Sequence, residues 1–140
     1  MKKYTFTLVL AFSTFFTTAQ SETGKNILQS FSTEGIHTII VKIEGNIEFK
    51  MWQHPKVCIQ TSLIPVNAKY RAVEILTDSG DYDVLSADGR GKMLIYDNPN
   101  TEYVYFKGER QTMDIHYTIY VQKGIQVIDA FRNNLLTYGK

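Results

Sequence analysis

Ile39-Ile40-Val41-Lys42-Ile43-Glu44-Gly45-Asn46-Ile47-Glu48-Phe49-Lys50-Met51 is the stretch on which the fold turns. Apolar residues stand at 39, 41 and 43, with Ile40 added, and the run from Ile47 to Met51 alternates strictly. A period of two places one face of an extended chain in a core and the other in water, so both runs read as β-strands. Between them, Glu44-Gly45-Asn46 supplies the turn residues of a tight hairpin, and the two strands are expected to pair antiparallel.

Outward from this pair the same rhythm continues. After His54-Pro55-Lys56, the residues Val57, Ile59, Thr61 and Leu63 line one face of a third strand. Further strands are expected over 82–86, 92–96, 102–106, 113–121 and 125–130. Their separators, Asp88-Gly89-Arg90-Gly91, Asp97-Asn98-Pro99-Asn100, Lys107-Gly108 and Lys123-Gly124, have turn composition. The stretch 67–79 differs: Ala68, Ala72, Val73, Ile75 and Leu76 recur at helical spacing after Pro65, with Asn67 as a candidate cap and Gly80 as a stop. Residues 131–140 read as either a last short strand or a tail. The class is mainly β: a β-sandwich or short β-roll of about eight or nine strands with one short helix.

The chain has 140 residues, and its first twenty read as an export signal. Lys2 and Lys3 precede an apolar and hydroxylic run from Tyr4 to Phe16, and Thr17-Thr18-Ala19 offers the small residues that a signal peptidase needs. That run is about 13 residues, short of the ~20 that a membrane-crossing helix requires. A leader over 1–19, cut near 19/20 or 20/21, therefore precedes one domain over 20–140, and no transmembrane segment is expected in the mature chain. About 120 residues suffice to bury a core without disulfides or metals.

Charge excludes several partners. Two of the 15 lysines and arginines lie in the leader and all 14 acids lie beyond it, so the remainder is nearly neutral with the signs well mixed. Nucleic acid and anionic membrane surfaces both demand clustered cations, and neither is expected as a partner. Cys58 is the lone cysteine, which rules out an internal disulfide and reads as a small residue packed on a strand.

Catalytic and metal-binding patterns are weak. His37, His54 and His116 are far apart and form no ligand pair of metal-binding spacing. Asp78, Asp81, Asp83 and Asp88 form an acidic cluster but lack the ligand order and terminal Glu of a calcium loop, and a helix end followed by a turn accounts for them. There is no G-x-S-x-G elbow, and Gly89-Arg90-Gly91 is only a fragment of a glycine-rich loop. No cofactor, no metal and no enzymatic activity are expected. The aromatic residues carry more information. Tyr103 and Tyr105 share one face of a strand, and Trp52 stands beside Lys50 and His54 at a strand end. Flat rings with a polar edge suit sugar faces and protein partners, so Tyr103, Tyr105 and Trp52 are the candidate ligand-binding residues.

Val41-Lys42-Ile43-Glu44-Gly45-Asn46-Ile47-Glu48-Phe49, followed by Trp52 and Val57-Cys58-Ile59, resembles the opening strands of the head "GIN" domain of exported bacterial proteins described as "putative adhesins", and of related adhesin domains of β-solenoid type. Gly80-Asp81-Tyr82-Asp83-Val84 and the run from Tyr117 through Lys123-Gly124 to Val127 are similar to later parts of that family. The resemblance implies an all-β roll, exported and adhesive, and brings no catalytic residues. Family members continue into further rungs where this chain stops, which implies an open sheet edge. The expectation is an exported, non-enzymatic, adhesin-like binding domain at the cell envelope, in the periplasm or outside the cell, with an envelope polysaccharide or protein as partner. One alternative is an assembly module that self-associates through an edge strand; another is a small-ligand carrier of β-barrel type.

Overall fold

The structure, a computed structural model, describes residues 24–98, 104–132 and 134–137. The expected leader, the start of the strand at 102–103 and the chain end at 138–140 lie outside the described residues.

The described residues form ten strands and one helix: β1 (Lys25–Ser32), β2 (Thr38–Lys42), β3 (Asn46–Trp52), β4 (Lys56–Asn67), α1 (Tyr70–Asp78), β5 (Val84–Gly89), β6 (Lys92–Asp97), β7 (Val104–Phe106), β8 (Glu109–Gln122), β9 (Gln126–Asp129) and β10 (Asn134–Thr137). They make two facing sheets. The first runs β1-β4-β8-β3, with β7 added to the far end of β8; the second runs β10-β9-β2-β6-β5. The mainly β class and the single short helix are as the sequence implies. Among the described residues the two sheets do not close into a barrel, the enclosure on which the barrel-type carrier depends.

The expected hairpin at Glu44-Gly45-Asn46 does not form. Instead β2 lies in the second sheet, parallel to β6 and β9, while β3 lies in the first, parallel to β8. Gly45, at φ 117°, turns the chain from one sheet to the other, which makes an arch rather than a hairpin. A second arch at Lys123-Gly124 carries β8 into β9 at the opposite end of the sandwich. The two arches interlock, β2 beside β9 and β3 beside β8. A backbone bond from Lys123 N–H to Trp52 C=O, 3.2 Å, ties the end of one to the turn of the other. Tighter two-residue turns do make hairpins. Arg90-Gly91 and Lys107-Gly108 both place two successive residues at positive φ, the condition that matches strand twist across a hairpin.

Between the sheets, Ile39, Val41, Met93, Ile95 and Val127 from the second meet Val57, Ile59, Ile119 and Val121 from the first, all fully buried. Each such side chain contributes roughly 1.5–3 kcal/mol by leaving water. β4 and β8 outrun the second sheet, and α1 covers their overhang: Ala72, Val73 and Leu76 pack with Leu63 and Tyr82. Asn67, the expected cap, belongs to β4. The N-cap is Lys69, with no side-chain cap bond, and its backbone N–H is taken by the Gln111 side chain at 3.2 Å. Pro65 fits inside β4 because, among the described residues, β1 pairs only as far as Leu63 and the strand there has β8 as its one neighbour.

Candidate functional site: the aromatic corner of the first sheet

Along β3 the residues Asn46, Glu48, Lys50 and Trp52 face outward, since Ile47 and Phe49 pack into the core. The parallel register sets Lys50 beside Tyr120 and Trp52 beside Gln122, and the antiparallel register sets Tyr120 beside Cys58 of β4. One corner of this wet face therefore collects Trp52, Tyr120 and, from the following turn, His54. The rings of Trp52 and Tyr120 lie 5.5 Å apart at 38°, and His54 stands edge-on to Trp52 at 4.8 Å and 75°.

The loop that presents the indole is tied down. Trp52 Nε1–H donates to the Lys56 carbonyl at 2.7 Å, Lys56 N–H donates to the His54 carbonyl at 2.8 Å, and Thr33 N–H reaches the Pro55 carbonyl at 3.3 Å. With its only polar atom engaged, the Trp52 ring offers carbon face to a ligand. Two ammonium groups flank the cluster, Lys50 at 5.9 Å from the Tyr120 centroid and Lys56 at 6.0 Å from that of Trp52. Exposed contacts of this kind are worth only about 0.5–1 kcal/mol, so a ligand can displace either lysine from its ring. The corner can stack a flat apolar face and pair an acidic group.

Of the three residues singled out from sequence, Tyr105 and Trp52 do not meet. Tyr105 is exposed on β7 and pairs with Arg110, whereas Trp52 pairs with Gln122 at the other end of β8. Twelve residues of strand at ~3.3 Å each put them about 40 Å apart. Tyr103 lies outside the described residues. Tyr120 and Lys56, which complete the corner around Trp52, were not singled out, because only the sheet register brings them to it; the alternation of Tyr117 through Val121 was the one available signal.

An open hollow of about 650 Å³ lies between Val66–Lys69 and Glu109–Gln111, where Lys69 and Glu109 pair at 3.4 Å. A smaller one of about 220 Å³ is bounded by Asn46, Glu48, His116, Thr118 and Arg132. Among the described residues no three of His, Cys, Asp and Glu are grouped so as to hold a metal ion, and no helix is long and apolar enough to cross a membrane. The acidic residues around the helix end serve local structure: Asp78 pairs with Lys25 at 3.2 Å, and Ser79 Oγ–H donates to Asp81 at 2.5 Å. Cys58 is a free, half-buried thiol on the outer face.

Over 74% of this chain and 44% of the other, the structure is similar to the crystal structure of a "putative cell adhesion protein" from Clostridium sporogenes ATCC 15579, with a TM-score of 0.40 and 6% sequence identity. The chain spans less than half of that protein's length. Neither a family model nor a curated protein matches the chain, so its likeness to the head GIN domain rests on the strand pattern quoted above.

Proposed function

We propose that the chain is an exported, non-enzymatic binding domain that recognises polysaccharide of the cell envelope through the aromatic corner at Trp52. The observation that carries this reading is the grouping of Trp52, Tyr120 and His54 on one wet face with Lys50 and Lys56 beside them. Stacking on the apolar face of a sugar ring uses the indole and phenol planes, and the two ammonium groups select acidic sugars over neutral ones.

Binding of the purified chain to a panel of acidic and neutral polysaccharides tests it. Trp52→Ala is expected to weaken acidic-glycan binding at least tenfold, and Lys56→Ala to weaken it less while narrowing the preference for acidic over neutral chains. Tyr105→Ala, on β7 at the far end of β8, leaves binding unchanged. Equal binding by the Trp52→Ala protein, with its circular dichroism intact, would remove the corner from the function. A turnover activity that depends on one Asp or His would overturn the non-enzymatic reading altogether.

A further inference from the structure

The free side of β3 is an uncapped sheet edge. Among the described residues β3 pairs with β8 on one side and with no strand on the other. Sheet edges are commonly blunted by proline, a bulge or a charge turned inward, because a row of open N–H and C=O groups invites a second chain. Asn46-Ile47-Glu48-Phe49-Lys50-Met51-Trp52 has none of these. Its charges, Glu48 and Lys50, both point outward, and the inward residues are apolar, Ile47 and Phe49 partly buried at the rim of the core and Met51 49% exposed.

The strand is also complementary to itself. Turned antiparallel about Phe49, one copy sets Phe49 against Phe49, Ile47 against Met51 and Glu48 against Lys50 of the second copy, twice over. Apolar residues then meet on the inner face and opposite charges on the outer. The backbone polarity agrees with this register. Trp52 C=O is spent on Lys123 N–H, on the β8 side, so by alternation the groups of Ile47, Phe49 and Met51 point to the free side. Those three positions would exchange roughly six backbone hydrogen bonds, two at each facing pair, and Glu48 and Lys50 would fall at the closer, non-hydrogen-bonded positions where cross-strand side chains interact best.

We propose that two copies of this chain associate through antiparallel pairing of their β3 strands about Phe49, joining their first sheets into one. The contact is isologous, so it closes at two copies and does not propagate. It rests on the edge of β3, independently of the polysaccharide reading. It does place the two Trp52 corners on one continuous face, six residues of strand or about 20 Å apart, a spacing that a polymeric ligand can bridge.

A charge swap tests the register. Glu48 and Lys50 form an ion pair with each other at 3.4 Å, about half exposed, and Lys50 adds only a weak contact with the Tyr120 ring, so substituting them leaves the fold intact. Sedimentation of the wild-type chain is expected to show a concentration-dependent dimer. Glu48→Lys and Lys50→Glu each set like charges across the twofold and are expected to weaken self-association at least tenfold. Mixed in equal amounts, the two variants regain opposite charges at every facing position and form a heterodimer, and a single chain carrying both substitutions dimerises like the wild type. A wild-type chain that stays monomeric at millimolar concentration overturns the proposal. So do single variants that dimerise as well as the wild type, and folded variants that fail to combine on mixing.

Discussion

The first sheet is covered twice, by different means. Its lower part, around Ile59 and Ile119, faces a second sheet; its upper part, around Leu63, faces one helix of nine residues. Ile59 and Leu63 stand four residues apart on β4, on the same face and both fully buried, yet they belong to different cores. The lower core is locked by two interlocked arches, and buried side chains from six β-strands close on each other there. The upper core depends on Val73 and Leu76 of a helix with no side-chain cap, no acidic residue in its first turn and no basic residue in its last. An isolated helix of this length is not stable in water, so α1 stays folded only while it is docked. Burial alone does not rank the two regions; the number of independent elements closing on each does.

Truncation on either side should expose that ranking. Ile59→Ala is expected to lower global stability by about 2–5 kcal/mol and to shift the whole denaturant transition. Leu76→Ala, slightly exposed, belongs at the low end of that range, and its main effect is expected on α1 alone, with faster amide exchange over 70–78 and unchanged protection in β2 and β9. Exchange measured residue by residue checks both. Equal loss of protection throughout the chain in the Leu76→Ala protein would mean that the two cores form one cooperative unit.

The seam between them is made of polar residues. Tyr117, of the lower core, and Tyr82, of the upper, are both nearly fully buried, and each phenol is pushed up to about 12. Burial is the larger cause for both; Asp81 adds to it at Tyr82, and Asp97 and then Tyr82 add to it at Tyr117. A phenol that holds its proton more tightly in the folded state contributes stability that is complete below its unfolded value near 10 and is lost as the pH climbs toward 12. Stability is therefore expected to stay level with respect to these groups up to about pH 10 and to fall from there. Denaturant titrations across pH 9–12 should show a shallower fall in Tyr117→Phe and in Tyr82→Phe. A slope that neither variant alters would exclude the seam as its source.

How much of this was legible beforehand depended on whether the signal was local. Alternation at Ile47–Met51 and helical spacing over Ala72–Leu76 are properties of one segment, and both elements formed. Partner choice is not local. Lys107-Gly108 makes a hairpin and Lys123-Gly124 an arch from the same dipeptide, because Lys107 takes positive φ and Lys123 does not. Glu44-Gly45 follows the second pattern, and the expected pairing of β2 with β3 failed for that reason. β1 escaped notice because Leu28, 70% exposed on the wet face, interrupts the alternation of Ile27, Gln29 and Phe31. At the candidate site Trp52 was visible as an aromatic residue among charges, but Tyr120 comes to it across 68 residues of sequence through the parallel register of β3 and β8. Asp129 carried no sequence signal at all. It is buried, accepts the backbone N–H groups of Phe131 and Arg132, and pairs with the Arg132 guanidinium, which also donates to the Gly45 carbonyl of the first arch.

The smallest expected effect lies at the seam itself. Thr61 sits between Ile59 and Leu63 on β4, opposite Tyr117, and its hydroxyl is fully buried without a hydrogen-bond partner. A hydroxyl stripped of water and given nothing in return costs about 1–3 kcal/mol, whereas a methyl group in the same volume costs nothing of the kind. Thr61→Val keeps the β-branch and the shape, so it is expected to raise stability by a few tenths to about 1 kcal/mol, read as a higher urea midpoint at unchanged slope. If the two cores couple across the seam, the gain should carry into slower amide exchange in α1 as well as in β2. If they are separate, the gain stays in the lower core and α1 opens as before. A loss of stability would show that the Thr61 hydroxyl is hydrogen-bonded in solution, which would make the seam a polar network rather than a packing defect.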